Sequence, residues 1–225
     1  MESKIEKTIH KDMEFYRLKS TEDITAVSWN TPDTKRFKNL IGSNVKTGVD
    51  NQLLINYLEK SYKMNTSSLM PNNNSDIFKE ILIEYKKIVD KILIQIRTMM
   101  KNIDNIEISF SRFMNKRESA SIWHKNYDEN IYRCNCYIET QNYSSVDLLF
   151  NNKTIQADEN LTHDSYKIRS NKDKDKVLSP NTNVMNTVLW NDKELFHRTP
   201  RDIPESGFPR SFIYFLIETS NIKTT

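Results

Sequence analysis

Glycine is nearly absent from this chain, with three in 225 residues. That excludes a glycine-rich phosphate cradle, which needs several positions of positive φ and close backbone approach. Cysteine is as scarce, and Cys134 and Cys136 cannot make a disulfide framework. Two apart in an apparent strand, they share a face with poor geometry for a mutual bridge, and they read as free thiols of a reducing compartment. No apolar run reaches the ~20 residues of a membrane span, and Met1 to Lys7 carries no apolar signal segment. The expectation is a soluble cytoplasmic protein with no membrane partner. Charge of one sign is also lacking: 33 basic and 30 acidic residues leave a net +3. The densest basic stretch, Lys167 to Lys176, interleaves aspartates with lysines, so its field largely cancels and argues against a nucleic-acid partner.

The apolar residues present, 37% of the chain, fall in periodic runs, and the length suits one domain. A helix is expected over Gln52 to Lys63, where Leu54, Tyr57, Leu58 and Tyr62 keep helical spacing, followed by a polar loop around Pro71. The strongest helix spans about Ile77 to Asn102, capped by Ser75 or Asp76. Ile81, Tyr85, Ile88, Ile92, Ile96 and Met99 form its stripe, broadened by Leu82, Val89, Leu93 and Met100. After Asp104-Asn105 the period drops to two at Ile106, Ile108 and Phe110. Strand-like runs follow at Ser119 to Trp123, Ile131 to Ile138, Val146 to Phe150, Val184 to Trp190 and Ser211 to Ile217. The polar stretch from Asn151 to Pro180 is too long for a tight hairpin and has the length of a lid or a disordered loop. Helices first and short strands afterwards predict an α+β chain: a helical support region over 1–105 and a sandwich or barrel over 106–225, in one compact unit.

Two segments carry chemistry. One is Trp123-His124-Lys125-Asn126-Tyr127-Asp128, just before a strand. The other is Phe196-His197-Arg198-Thr199-Pro200-Arg201, followed by Arg210 at the head of the last apolar strand. A histidine beside an aromatic is commonly a core residue, but two histidines with a nearby carboxylate suggest non-haem iron. His10 and His163 lie in polar contexts and read as surface residues. Arg198 and Arg201 either meet an anionic substrate or pair with Asp202 and Glu205. On the strand after His124, Tyr132 and Cys134 share one face while Arg133 and Asn135 share the other.

The order of these features over about residues 106 to 217 resembles the iron(II)/2-oxoglutarate-dependent oxygenases of the double-stranded β-helix (jelly-roll) type, including the prolyl-hydroxylase-like branch. The resemblance implies a jelly roll braced by N-terminal helices, with iron(II) as metal. Its partners would be 2-oxoglutarate as cosubstrate, molecular oxygen and an amino acid, peptide or other small substrate. It makes His124 the first iron ligand, His197 the distal ligand and Arg210, thirteen residues on, the anchor for the far carboxylate of 2-oxoglutarate. Arg133 and Asn135 would face cosubstrate or substrate. The family's His-x-Asp/Glu motif is not matched, because Asn126 stands two after His124. In an extended strand, residues two apart lie ~6.6 Å apart on one face and residues four apart ~13 Å, so Asp128 completes the metal site only if the chain turns after His124. Asp128 is the favoured third ligand, with Asn126 and Glu129 as alternatives. A missing carboxylate would instead resemble the related halogenases. The rival reading is a jelly-roll binding protein without catalysis.

Overall fold

A computed structural model describes residues 5–18, 24–46, 54–58, 75–118, 123–124, 131–139, 146–149, 155–157, 166–168, 177–180, 184–201 and 203–220. Most of the described chain is antiparallel sheet, with two long helices, an α+β architecture. The strands are β1 (Ile5–His10), β2 (Met13–Leu18), β3 (Ala26–Trp29), β4 (Ile103–Phe113), β5 (Ile131–Glu139), β6 (Asp147–Leu149), β7 (Ile155–Ala157), β8 (Tyr166–Ile168), β9 (Val177–Leu178), β10 (Thr187–Asn191), β11 (Phe196–Arg198) and β12 (Arg210–Thr219). The helices are α1 (Thr34–Lys46) and α2 (Ser75–Met99), with a short helical segment at 54–58.

α2 forms where the sequence stripe predicts it. Phe78, Ile81, Tyr85, Ile88, Val89, Ile92 and Ile96 are all buried, and each is worth about 1.5–3 kcal/mol relative to exposure. Asp76 in its first turn and Arg97 in its last complement the helix dipole. It stops three residues before the expected end, and Asn102 then takes a left-handed backbone with φ 58°, a conformation that asparagine tolerates better than most residues. α1 packs beside it, and Phe37 meets the rings of Tyr85 and Phe110 at 6.0 and 5.8 Å.

The N-terminal region departs from the expected helical support. Residues 5–29 supply three strands of a seven-stranded sheet, ordered β1-β2-β3-β10-β5-β12-β4. The cause is local: Lys11 and Asp12 both adopt positive φ, 47° and 62°, between the paired residues His10 and Met13. That is a two-residue hairpin loop of the kind usually signalled by Asn-Gly. β3 is buried on both faces, so it shows no alternation. Of the helix expected at 52–63, residues 54–58 are helical and the remainder lies outside the described residues.

The large sheet has two unlike faces. Cys134, Cys136, Ile138, Ile213, Phe215 and Ile217 enter the core shared with α1 and α2, while the intervening Arg133, Asn135, Tyr137, Phe212 and Tyr214 face a cavity. The two cysteines are free and buried, and burial pushes the Cys136 thiol up to about 12. A smaller sheet, ordered β11-β6-β9, sits over the cavity side. Its Leu148, with Val146 and Leu195, packs on Tyr137, Val188 and Trp190. β7 and β8 pair separately, within the stretch expected to be a long loop.

β12 alternates sides at a decisive point. Arg210 lines the cavity; on the other face, the Ser211 hydroxyl donates to Glu139, whose carboxylate also pairs with Arg112 at 2.9 Å. The register shifts here, Ser211 opposing Glu139 and Phe212 opposing Tyr137, so Ile138 is the extra residue of a bulge. No helix among the described residues is long and apolar enough to cross a membrane.

Candidate functional site

His124 and His197 are brought together by backbone pairing. They form an antiparallel bridge in which each backbone N–H donates to the other's carbonyl at 3.0 Å. Directly opposed residues project to the same face of a sheet, and the two imidazole rings stand 4.2 Å apart, centre to centre. His197 is buried and packs 5.3 Å from the Trp190 ring. Its Nδ1 lies 3.2 Å from Asp192 Oδ1. Burial pulls its pKa down to about 4, against the opposite effect of Asp192, so the imidazole is neutral at pH 7 and keeps a nitrogen lone pair. Two imidazoles held this way offer two donors to a divalent transition metal.

Asp192 is the residue that sequence reasoning missed. It is 0% exposed, in the turn between β10 and β11, and its backbone N–H donates to Ile131 O at 2.9 Å. Asn191 closes the turn by accepting at Oδ1 from the backbone N–H groups of Lys193 and Glu194, at 3.0 and 3.4 Å. The Asp192 carboxylate accepts from Trp190 Nε1 at 3.3 Å and pairs with Arg133 Nε at 3.3 Å. The available signal was an Asn-Asp turn five residues ahead of a histidine, which folds back within reach of it.

The cavity has a volume of about 370 Å³. Of the expected site residues, His124, His197, Arg133, Asn135 and Arg210 all line it. Arg210 is 3% exposed and its guanidinium lies 5.8 Å from the Tyr137 ring centre. Burial lowers its pKa from the usual arginine value, while Tyr137 and Asp147 act the other way. The Asn135 side-chain amide donates to the Tyr137 hydroxyl at 3.1 Å, and Arg133 lies 5.4 Å from the Tyr214 ring centre. Tyr137 extends the Arg133, Asn135 alternation by one step, a period-two signal that could have found it.

Of the local partners expected for Arg198 and Arg201, Asp202 lies outside the described residues, and Arg198 meets partners across the sheet. It pairs with Asp147 at 2.9 Å, the residue directly opposite on β6, and stacks 4.4 Å from the Trp123 ring centre. Arg201 is exposed, and its carbonyl accepts from Lys116 Nζ at 2.9 Å. Asp128, Asn126 and Glu129, the three candidates for a third metal ligand, lie outside the described residues, as does His163. His10 is exposed at the β1–β2 turn. Among the described residues, no group of three or more histidine, cysteine or carboxylate side chains is placed to hold a metal.

No protein-family model matches the chain, and no curated protein matches it. Among solved structures it is similar to three of the non-haem iron oxygenase OrfP. One is a mutant in complex with (3S)-hydroxy-L-Arg, at 9% identity and a TM-score of 0.27, covering 86% of this chain and 93% of that one. The second is a complex with Fe, succinate and (3S)-hydroxy-L-Arg, at 9% and 0.28, covering 86% and 94%. The third holds Fe, at 6% and 0.27, covering 86% of each chain. A likeness at this level identifies neither a family nor an activity.

Proposed function

We propose that this chain is an iron(II)- and 2-oxoglutarate-dependent oxygenase of the jelly-roll type, hydroxylating an amino acid, a peptide or another small substrate. The observation that carries the reading is the opposed pair His124 and His197, rings 4.2 Å apart, lining one cavity with the buried Arg210. A jelly roll is eight antiparallel strands in two sheets. Two rows of four support it here: β4-β12-β5-β10, and residues 123–124 with β11-β6-β9. β1 to β3 extend the first row.

The residues present fit iron(II), because two imidazole ligands leave coordination positions for a carboxylate and for small ligands. His124 and His197 would hold the metal, with Asp128 as third ligand. Bound there, iron(II) supplies the oxidising chemistry with molecular oxygen and 2-oxoglutarate. Arg210 is assigned the far carboxylate of 2-oxoglutarate, a charge-assisted contact in a desolvated setting. Asn135 and Arg133 are assigned polar contacts with cosubstrate or substrate, and Phe212 and Tyr214 the apolar walls that keep water out.

The test is anaerobic iron(II) titration of the metal-free protein, followed by assay for succinate on admitting oxygen and 2-oxoglutarate. The parent should bind iron(II) and form succinate, slowly in the absence of substrate. His124→Ala and His197→Ala should lose both. A parent that neither binds iron(II) nor consumes 2-oxoglutarate overturns the reading in favour of a binding protein.

A further inference from the structure

A buried carboxylate needs compensation by donors that are themselves held in place, because an isolated charge in an apolar setting costs far more than a paired one. Asp192, wholly inaccessible, meets three side chains from three strands, β10, β11 and β5. Trp190 Nε1 donates to Oδ1 at 3.3 Å, His197 Nδ1 lies 3.2 Å from the same oxygen, and Arg133 Nε lies 3.3 Å from Oδ2. The backbone holds the carboxylate rigidly: its own N–H is tied to Ile131 O, and the Asn191 side chain closes the turn from the other end. One carboxylate thus touches both a histidine of the bridged pair and a guanidinium on the cavity floor.

We propose that Asp192 is the positioning residue of this site, its carboxylate facing Nδ1 of His197 with one oxygen and the Arg133 guanidinium with the other. A neutral imidazole can carry its proton on either nitrogen. A carboxylate facing Nδ1 selects the Nδ1–H form and leaves Nε2 as the nitrogen able to bind a metal. The same carboxylate keeps Arg133 directed along the floor beside Tyr214, so one side chain sets the orientation of a metal donor and of a cavity cation together. Only the metal-binding half of this inference rests on the function proposed above; the choice of ring proton does not.

The experiment has two arms. In the first, metal-free 15N-labelled protein at pH 8 is studied by long-range 1H–15N correlation of the imidazole rings. His197 is identified among the four histidines by the signal lost in His197→Gln. His197 should be protonated at Nδ1; protonation at Nε2, or rapid exchange between the two forms, overturns the proposal. This arm needs no Asp192 variant and stands even if every such variant fails to fold. In the second, the parent and Asp192→Asn are titrated with Co(II) well below their melting transitions. Asp192→Asn should bind about 10–100-fold more weakly, whereas a side chain that only stabilised the fold would lower the melting temperature without changing affinity. Equal affinity in a folded Asp192→Asn overturns the proposal. A parent whose His197 is protonated at Nδ1 but which binds no Co(II) upholds Asp192 as the positioning residue and removes the metal-centre reading instead.

Discussion

Replacing Arg210 by methionine separates what this residue does for the fold from what it does for a ligand. Arg210 is 3% exposed, and burial lowers its pKa from the usual arginine value. Methionine keeps much of the volume against Tyr137 without a charge to desolvate. The melting temperature of each free protein is the baseline against which its stabilisation by ligand is read. Binding of 2-oxoglutarate should suffer, because a charge-assisted bond contributes about 1.5–3 kcal/mol, equivalent to about 10- to 150-fold in affinity. At a ligand concentration 100 times the parent's Kd, binding stabilises the parent by about 2.7 kcal/mol and the variant by only about 0.3–1.4 kcal/mol. For a chain of this size that is an upward shift of about 5–10 °C in the parent and about 1–5 °C in Arg210→Met. Differential scanning fluorimetry of the anaerobic iron-loaded proteins, with and without 2-oxoglutarate, reads both numbers. An undiminished shift in the variant refutes the assignment and moves the anchor to Arg133 or Arg201. No shift in the parent refutes the 2-oxoglutarate reading itself.

Other residues give sharper tests of the scaffold. Ile92→Ala, in the fully buried stripe of α2, should cost about 2–5 kcal/mol in urea unfolding, while Ile94→Ala, at a position 64% exposed, should stay within about 0.5 kcal/mol. Glu139→Gln should destabilise by about 3–5 kcal/mol by leaving the Arg112 charge buried without its counter-ion, and joint replacement of Arg112 and Glu139 by methionine should recover most of the loss. Stability should fall as pH rises above about 9. The unfolded chain then releases the Cys136 and Cys134 protons, whereas the folded thiols, raised by burial and in Cys136 to about 12, retain them; Cys136→Ala should lessen that fall in an alkaline urea series and leave the part due to Cys134.

Much of the scaffold is legible in the sequence because its signals are local. The α2 stripe needs only 3.6-residue spacing, and β4, β5 and β12 announce themselves by alternation or apolar runs. β1 and β2 are not legible, since charged residues occupy much of both strands and their turn is Lys11-Asp12 rather than a glycine-bearing pair. α1 is hidden by lysines and asparagines around two fully buried apolar positions among its described side chains, Phe37 and Ile41. In the site, His124, His197 and Arg210 could be listed from their order along the chain, and Arg133 and Asn135 from strand parity. Asp192 could not, because its role depends on a turn that reverses the chain and on a guanidinium from a strand some sixty residues earlier. Asp147 is illegible for the same reason: its partner Arg198 reaches it only through cross-strand pairing.

β5 carries wall and workplace on alternate residues, and this gives the site's polar side chains a second effect. A slip of one position would turn Arg133 and Asn135 into the apolar layer under the helices and present Cys134 and Cys136 to the cavity. The groups that confer chemistry thus also forbid the misaligned sheet. Converting them to apolar residues would do more than silence the cavity: it would erase the difference between the strand's two sides and leave two alignments competing where the charged strand permits one.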